Sequence, residues 1–236
     1  MKNIVFNNRK ELSYGKREAL NTLRTNLSFC GADIRVVMFT STNPDEGKST
    51  TVIELARSFA SDGRQVAVLD CDLRKSVIES RYRIAAENGG EELLGITHYL
   101  TGKCTIPEAL YRNEEDGFDI MLAGRMTPSP TELLNTELFD QLIGYCRENY
   151  EVVLIDTPPI GSVIDAAVIA PKTDGIVYVI EYGNTRRTDI LAGKKQLELT
   201  GVRILGAVLN KVNAEKSGKG YKSYYKYGYY RKDDSE

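Results

Sequence analysis

The sequence predicts an α/β fold in which a mostly parallel sheet is sandwiched between helices. Three observations predict it. Near-continuous apolar runs recur at residues 36–39, 66–69, 152–155, 176–180 and 204–209, and strands of this composition are buried on both faces. Stretches with helical periodicity alternate with them. The first run leads through a polar turn into Gly47-Lys48-Ser49 at the mouth of a helical pattern. Strand, loop and helix N-terminus in that order form a phosphate-binding loop, because loop amides and the helix dipole both favour an anion.

Composition bounds the rest. A chain of 236 residues, 42% hydrophobic and 27% charged, is long enough for one substantial domain and has no sign of a second. A net charge of −2 gives no footprint for nucleic acid, so no nucleic-acid partner is expected. No apolar run approaches the ~20 residues that span a bilayer, and the N-terminus lacks a signal-peptide core. Cys30, Cys71, Cys104 and Cys146 lack CxxC spacing, which argues against a disulfide framework or a zinc or iron–sulfur site and for a reducing cytoplasm.

Residues 11–28 predict an amphipathic helix with Ala19, Leu20, Leu23 and Leu27 on one face. Glu18, Asn21 and Arg24 form a polar stripe on another, which by pattern alone is a solvated face. After the strand at 36–39 comes the loop, in which Thr42 stands where the general pattern carries a glycine. Lys48 is placed to reach the β- and γ-phosphates, and Ser49 to offer a hydroxyl to Mg²⁺. The helix continues through residues 49–60, with Val52, Leu55, Ala56 and Phe59 inward, and Asp62-Gly63 ends it. The next strand, 66–69, closes on Asp70-Cys71-Asp72-Leu73-Arg74. Two carboxylates at one sheet edge are costly without a cation, so Mg²⁺ or a reacting hydroxyl gives a reason for the pair. A salt bridge to Arg74 explains only one of them.

Residues 81–117 begin polar and glycine-rich and hold a short helical stretch at 93–100. His98, the single histidine, joins no constellation there and reads as structural or exposed rather than catalytic. A strand follows at 118–122, then a proline-punctuated loop at 124–130. Thr131 is expected to cap one helix whose core stripe is Leu133, Leu134, Leu138, Leu142 and Ile143. The run from Val152 ends in Asp156-Thr157-Pro158-Pro159, the form of a Walker B element whose carboxylate holds Mg²⁺ directly or through water. A short helix at 165–170, a strand at 176–180, a helix at 187–199 and a strand at 204–209 complete the alternation. Asn210 follows the last strand, where its amide is placed to read a nucleotide base.

From residue 214 the composition changes. Tyr221, Tyr224, Tyr225, Tyr227, Tyr229 and Tyr230 are six of the chain's 14 tyrosines, separated by glycine, lysine and serine with no aliphatic residues to build a core. Such a segment is expected to be flexible. It reads equally as a phosphoacceptor tail, a stacking surface or a low-complexity end.

Taken together, Ser41-x-x-Pro44-x-x-Gly47-Lys48-Ser49-Thr50, Asp70-x-Asp72-x-Arg74 and Leu154-Ile155-Asp156-Thr157-Pro158-Pro159 resemble the Walker A, A′ and B motifs of the bacterial tyrosine kinases of capsule and exopolysaccharide synthesis. Leu122-Ala123-Gly124, the run 128–134 and Ile164-Asp165-Ala166 extend the resemblance along nearly the whole chain, and the tyrosine cluster resembles that family's autophosphorylation site.

The resemblance implies a single-domain P-loop kinase over residues 1–213, with residues 1–30 as an oligomerisation helix, and a flexible autophosphorylation tail over 214–236. It implies ATP and Mg²⁺, contacted by Ser41, Asn43, Glu46, Gly47, Lys48, Ser49, Thr50 and Asn210. Ser49, Asp72 and Asp156 organise the metal. Asp70 is the expected proton acceptor, with Lys48 and Asp72 completing the catalytic set, although spacing allows Asp70 and Asp72 to exchange roles. The chain begins close to its first helix, as in the split Gram-positive type. That type is a cytoplasmic kinase recruited to the inner face of the membrane by an activator's cytoplasmic tail, and opposed by a cognate tyrosine phosphatase. Ring assembly is implied through Glu18 and Arg24, with Asn21 replacing an arginine of the family's motif. The runner-up is a partition-type ATPase switch, which carries a signature lysine where Asn43 stands here.

Overall fold

The structure is a computed structural model that describes residues 1–90 and 92–212. The expected strands and helices at its centre are present. Strand β1 (Lys2–Phe6) precedes helix α1 (Tyr14–Ser28), β2 (Val36–Ser41), α2 (Lys48–Ser61) and β3 (Val66–Asp70). Then come α3 (Ile78–Tyr82), β4 (Ile84–Ala86), α4 (Ile96–Leu100), α5 (Ile106–Ala109), β5 (Leu110–Asn113) and β6 (Phe118–Met121). The second half holds α6 (Pro130–Leu134), α7 (Glu137–Asn149), β7 (Val152–Asp156), α8 (Asp165–Ile169), β8 (Gly175–Glu181), α9 (Arg187–Glu198) and β9 (Ile204–Asn210).

The nine strands form one sheet in the order β4-β1-β5-β6-β3-β7-β2-β8-β9. All pairings are parallel except β1 with β4 and β5 with β6. Alternation along each strand sends side chains to opposite faces. Val36 and Met38 join a core with α7 and α8, while Val37 and Phe39 join one with α1 and α2. The central strands β2, β3 and β7 are covered on both sides, which is why they read as unbroken apolar runs.

Several expectations are corrected. The helix begins at Tyr14 rather than at residue 11, and Ala19 is exposed while Leu20, Leu23 and Leu27 pack toward α2. The single helix expected after Thr131 is two, because it breaks at Asn135-Thr136, where Thr136 Oγ1 donates to Leu133 O at 2.7 Å. Thr131 is no cap, since its hydroxyl donates to Asp165 at 2.5 Å. Gly63, by contrast, takes the expected left-handed turn at φ 83, its N–H donating to Ala60 O at 2.9 Å. The tyrosine cluster 221–230 lies outside the described residues.

The topology places the site. In the sheet β7 runs between β3 and β2, and Asp70 is directly paired with Asp156. The loop after β2 leaves at the same edge. Ligands of open parallel sheets bind in such a crevice beyond the strands' carboxyl ends.

Candidate functional site

The loop between β2 and α2 is rigid by its own hydrogen bonds. Gly47 sits at φ 95, a left-handed turn, and a Cβ there would lie 2.0 Å from Asn210 Nδ2. Only glycine fits. Asn210 Nδ2 in turn donates to Glu46 O at 2.9 Å, so this amide, expected at the base, has its nitrogen engaged in holding the loop. Ser41 Oγ donates to Asn43 O at 2.7 Å. Glu46, expected among the nucleotide contacts, is 1% exposed. Its carboxylate accepts the Thr42 N–H at 2.9 Å, the Asn43 amide at 3.3 Å and the Thr185 hydroxyl. It braces the loop, and the contact left to Glu46 is through its main chain.

Lys48 and Ser49 are both buried at the first turn of α2. Facing them across the crevice stand three carboxylates. Asp70 is fully buried; its Oδ2 accepts the Ser76 hydroxyl, while Oδ1 has no partner. Asp156 is 1% exposed, and its Oδ1 is likewise unpartnered. Asp72 is half-buried and turns the chain, its Oδ1 accepting the Lys75 N–H at 3.0 Å. Burial pushes the Asp70 carboxyl well above its ordinary range, and the Asp156 charge adds to the shift. Burial also lifts Asp156 to about 6, against the pull of Lys48 and the Ser49 hydroxyl.

Two orphaned, buried carboxylate oxygens on adjacent strands are expensive unless a cation meets them. Hard oxygen donors beside a serine hydroxyl suit Mg²⁺, which keeps waters and phosphate oxygens in its shell. No three His, Cys, Asp or Glu side chains converge into a metal cage among the described residues, and Mg²⁺ held this way requires none.

The charge cost makes a prediction. Asp156→Asn stabilises the metal-free chain by roughly 1–3 kcal/mol at pH 7.5, a rise of several degrees in melting temperature. The sign follows from the raised value. The folded state holds the proton more tightly, so wild type carries no penalty below the ordinary 3.8 and the full penalty once pH passes about 6. The gap between variant and wild type therefore widens from pH 4.5 to pH 7.5 in thermal melts. Equal melting temperatures at pH 7.5 would contradict it.

Arg74, the salt-bridge partner expected for Asp70 or Asp72, pairs with neither. The structure gives it to Asp165 instead, with Nε at 2.6 Å from Oδ2 and Nη2 at 3.0 Å from Oδ1. This fork and the Thr131 hydroxyl hold the Asp165 carboxyl below its ordinary range although burial alone would raise it. The bond fastens the segment after Asp72 to α6 and α8. His98 is buried, its Nδ1 accepting the Gly95 N–H at 3.0 Å, the structural rather than the exposed of the two roles expected for it. Arg24 Nη1 donates to Ser58 O at 2.6 Å, and Asn21 bonds both Glu18 and Ser58 at 3.2 Å. Within one chain, Arg24 and Asn21 tie α1 to α2 while Glu18 stays exposed. Sequence reasoning missed Ser76, the partner of Asp70, and Arg81, which donates to Thr50 Oγ1 at 2.9 Å. Neither belongs to a motif with fixed spacing.

Comparison with known proteins agrees with this geometry. Residues 37–230 match the family model of the CobQ/CobB/MinD/ParA nucleotide-binding domain. The chain is 35% identical to the tyrosine-protein kinase CpsD of Streptococcus pneumoniae over 92% of its own length and 94% of that protein. It is 34% identical to the tyrosine-protein kinase YwqD of Bacillus subtilis, covering 92% and 87%. Among solved structures, the kinase domain of the Escherichia coli tyrosine kinase ETK superposes with a TM-score of 0.82 at 30% identity, covering 92% of this chain and 84% of that one. With a nucleotide loop, paired strand-end aspartates and relatives of this length and identity, the chain belongs to the bacterial tyrosine-protein kinases of the CobQ/CobB/MinD/ParA nucleotide-binding family.

Proposed function

We propose that this tyrosine kinase transfers the γ-phosphoryl group of Mg·ATP to tyrosines of its own 221–230 cluster, and thereby regulates capsular or exopolysaccharide synthesis and export. The observation that carries the reading is the convergence of Lys48, Ser49, Asp70, Asp72 and Asp156 on one crevice. Lys48 and the amides of the loop from Ser41 to Thr50 hold the phosphates, and the Asn210 side-chain oxygen contacts the base. Ser49, Asp72 and Asp156 would hold Mg²⁺, which when bound neutralises phosphate charge. Asp70 accepts or orients the tyrosine proton. A tyrosine hydroxyl has an ordinary pKa near 10, so a carboxylate whose own pKa is raised by burial is the better-matched base.

The reading extends to partners. A membrane activator's cytoplasmic tail docks on the kinase and brings it to the inner face of the membrane, and a cognate phosphatase reverses the modification. Subunits assemble through the α1 stripe of Glu18 and Arg24, so that one tail reaches a neighbour's site. No helix among the described residues is long and apolar enough to cross a membrane.

Intact-mass measurement after incubation with Mg·ATP tests the core of this. Several added phosphates are expected on the whole chain, more with an activator-tail peptide, and none on a chain truncated before Tyr221. ATP hydrolysis that leaves no phosphate on the protein, activator included, would replace the kinase reading with an ATPase switch.

A further inference from the structure

We propose that Arg81 is a second cation of the nucleotide site, holding the phosphates of a nucleoside di- or triphosphate at the first turn of α2. The inference rests on the nucleotide-site reading above and adds to it a residue outside the three motifs.

Position comes first. Arg81 lies near the end of α3, and its Nη1 donates to Thr50 Oγ1 at 2.9 Å, two residues beyond Lys48. The amides of this first turn are the ones that cradle a polyphosphate. The guanidinium has five donors. The one in use here meets a neutral hydroxyl, and among the described residues no carboxylate pairs with it. Its charge nevertheless reaches the crevice, where it helps draw down the Asp156 carboxyl.

The placement is fixed from outside the site. A five-residue helix has little stability of its own, and its last carbonyls lack partners within it. The two residues after β1 supply them. Asn8 Nδ2 donates to Arg81 O at 2.7 Å, Asn8 N–H to Tyr82 O at 3.0 Å, and Asn7 Nδ2 to Arg83 O at 3.0 Å. Tyr82 is buried with its ring 5.3 Å from Phe6 and 5.5 Å from the Arg57 guanidinium. Three consecutive carbonyls and a buried ring thus hold the backbone that carries Arg81. Binding groups held this way lose little freedom when a ligand arrives.

Charge supplies the reason. Three carboxylates face a single ammonium in the crevice, since Arg74 is forked to Asp165 and Lys75 is exposed. A polyphosphate adds negative charge even with Mg²⁺ beside it. A second fixed cation lowers that repulsion, and a planar guanidinium matches two phosphate oxygens at once.

Equilibrium titration with fluorescent ADP and ATP in Mg²⁺, on the whole chain, tests the assignment. Arg81→Gln is expected to weaken both nucleotides by about tenfold. Arg81→Lys should recover part of the loss, and the difference should shrink as salt screens it. A purely structural arginine would give no such salt-dependent loss or recovery by lysine. Arg81→Gln binding both nucleotides within twofold of wild type overturns the inference and leaves the nucleotide-site reading intact. Wild type binding neither nucleotide overturns both. Should Arg81→Gln fail to fold, Asn8→Ala loosens the clamp without touching the crevice, and unchanged ADP affinity there overturns the inference.

Discussion

Asp70→Asn lowers tyrosine phosphotransfer by about 10²–10⁴-fold, the usual worth of a positioned general base, while ATP affinity changes little. β3 is buried along its whole length and delivers Asp70 to the crevice with no exposure. Asparagine is isosteric and keeps an oxygen for the Ser76 hydroxyl, so the local fold survives. What disappears is the proton acceptor. Burial and the neighbouring Asp156 raise the Asp70 carboxyl, which brings its basicity toward the working pH where an ordinary carboxylate would be too weak. Asp72 is differently placed, half-exposed with one oxygen already on the Lys75 N–H, which suits a metal or water contact better than proton abstraction. Single-turnover phosphotransfer beside nucleotide titration separates the two roles. A rate for Asp70→Asn within tenfold of wild type, with Asp72→Asn the slower variant, would exchange the assignments that the one-residue spacing leaves open.

The parts of the site that were legible in the sequence are those written locally. β2, β3 and β7 are continuous apolar runs because both faces are covered, and each delivers its loop or aspartate at a carboxyl end. Gly47-Lys48-Ser49 and the strand-end aspartates are therefore visible without any knowledge of the sheet. Long-range pairing is not visible in this way. Arg74 sits two residues past Asp72, yet its partner Asp165 is 91 residues away on α8. Glu46 has the look of a phosphate-loop residue, but Thr185 arrives from 139 residues on to engage it.

The edge of the sheet was missed for a related reason. β1, β4 and β5 are three to five residues long, and Lys2, Asn3 and Arg112 break the apolar pattern of β1 and β5. They are strands because neighbours complete them, and propensity alone does not require it. Arg81 was invisible for both reasons at once. It lies on a helix too short to show a period, held by asparagines just after a strand the pattern did not reveal.

Lys48→Met removes the only ammonium that the P-loop motif supplies, and its effect is expected on both rate and nucleotide affinity. Loss of one preorganised charge at a developing transition state costs about 10²–10³ in rate. Here the lysine also offsets three carboxylates, so ATP affinity falls together with the rate. Lys48 is 6% exposed and lowers the Asp156 carboxyl. Without it Asp156 holds its proton to higher pH and is a poorer ligand for Mg²⁺. The lysine and Asp156 are then energetically coupled, and the loss in Lys48→Met with Asp156→Asn should be smaller than the product of the single losses. The variant also asks whose tyrosines are modified. Lys48→Met retains an intact 221–230 cluster but no active crevice, while a chain cut before Tyr221 retains the crevice but no cluster. If one subunit's tail enters a neighbour's site, mixing the two with Mg·ATP places phosphate on the full-length Lys48→Met chain, resolved by mass from the shorter one. Phosphate on wild type alone, with none in the mixture, would mean that each crevice serves only its own tail.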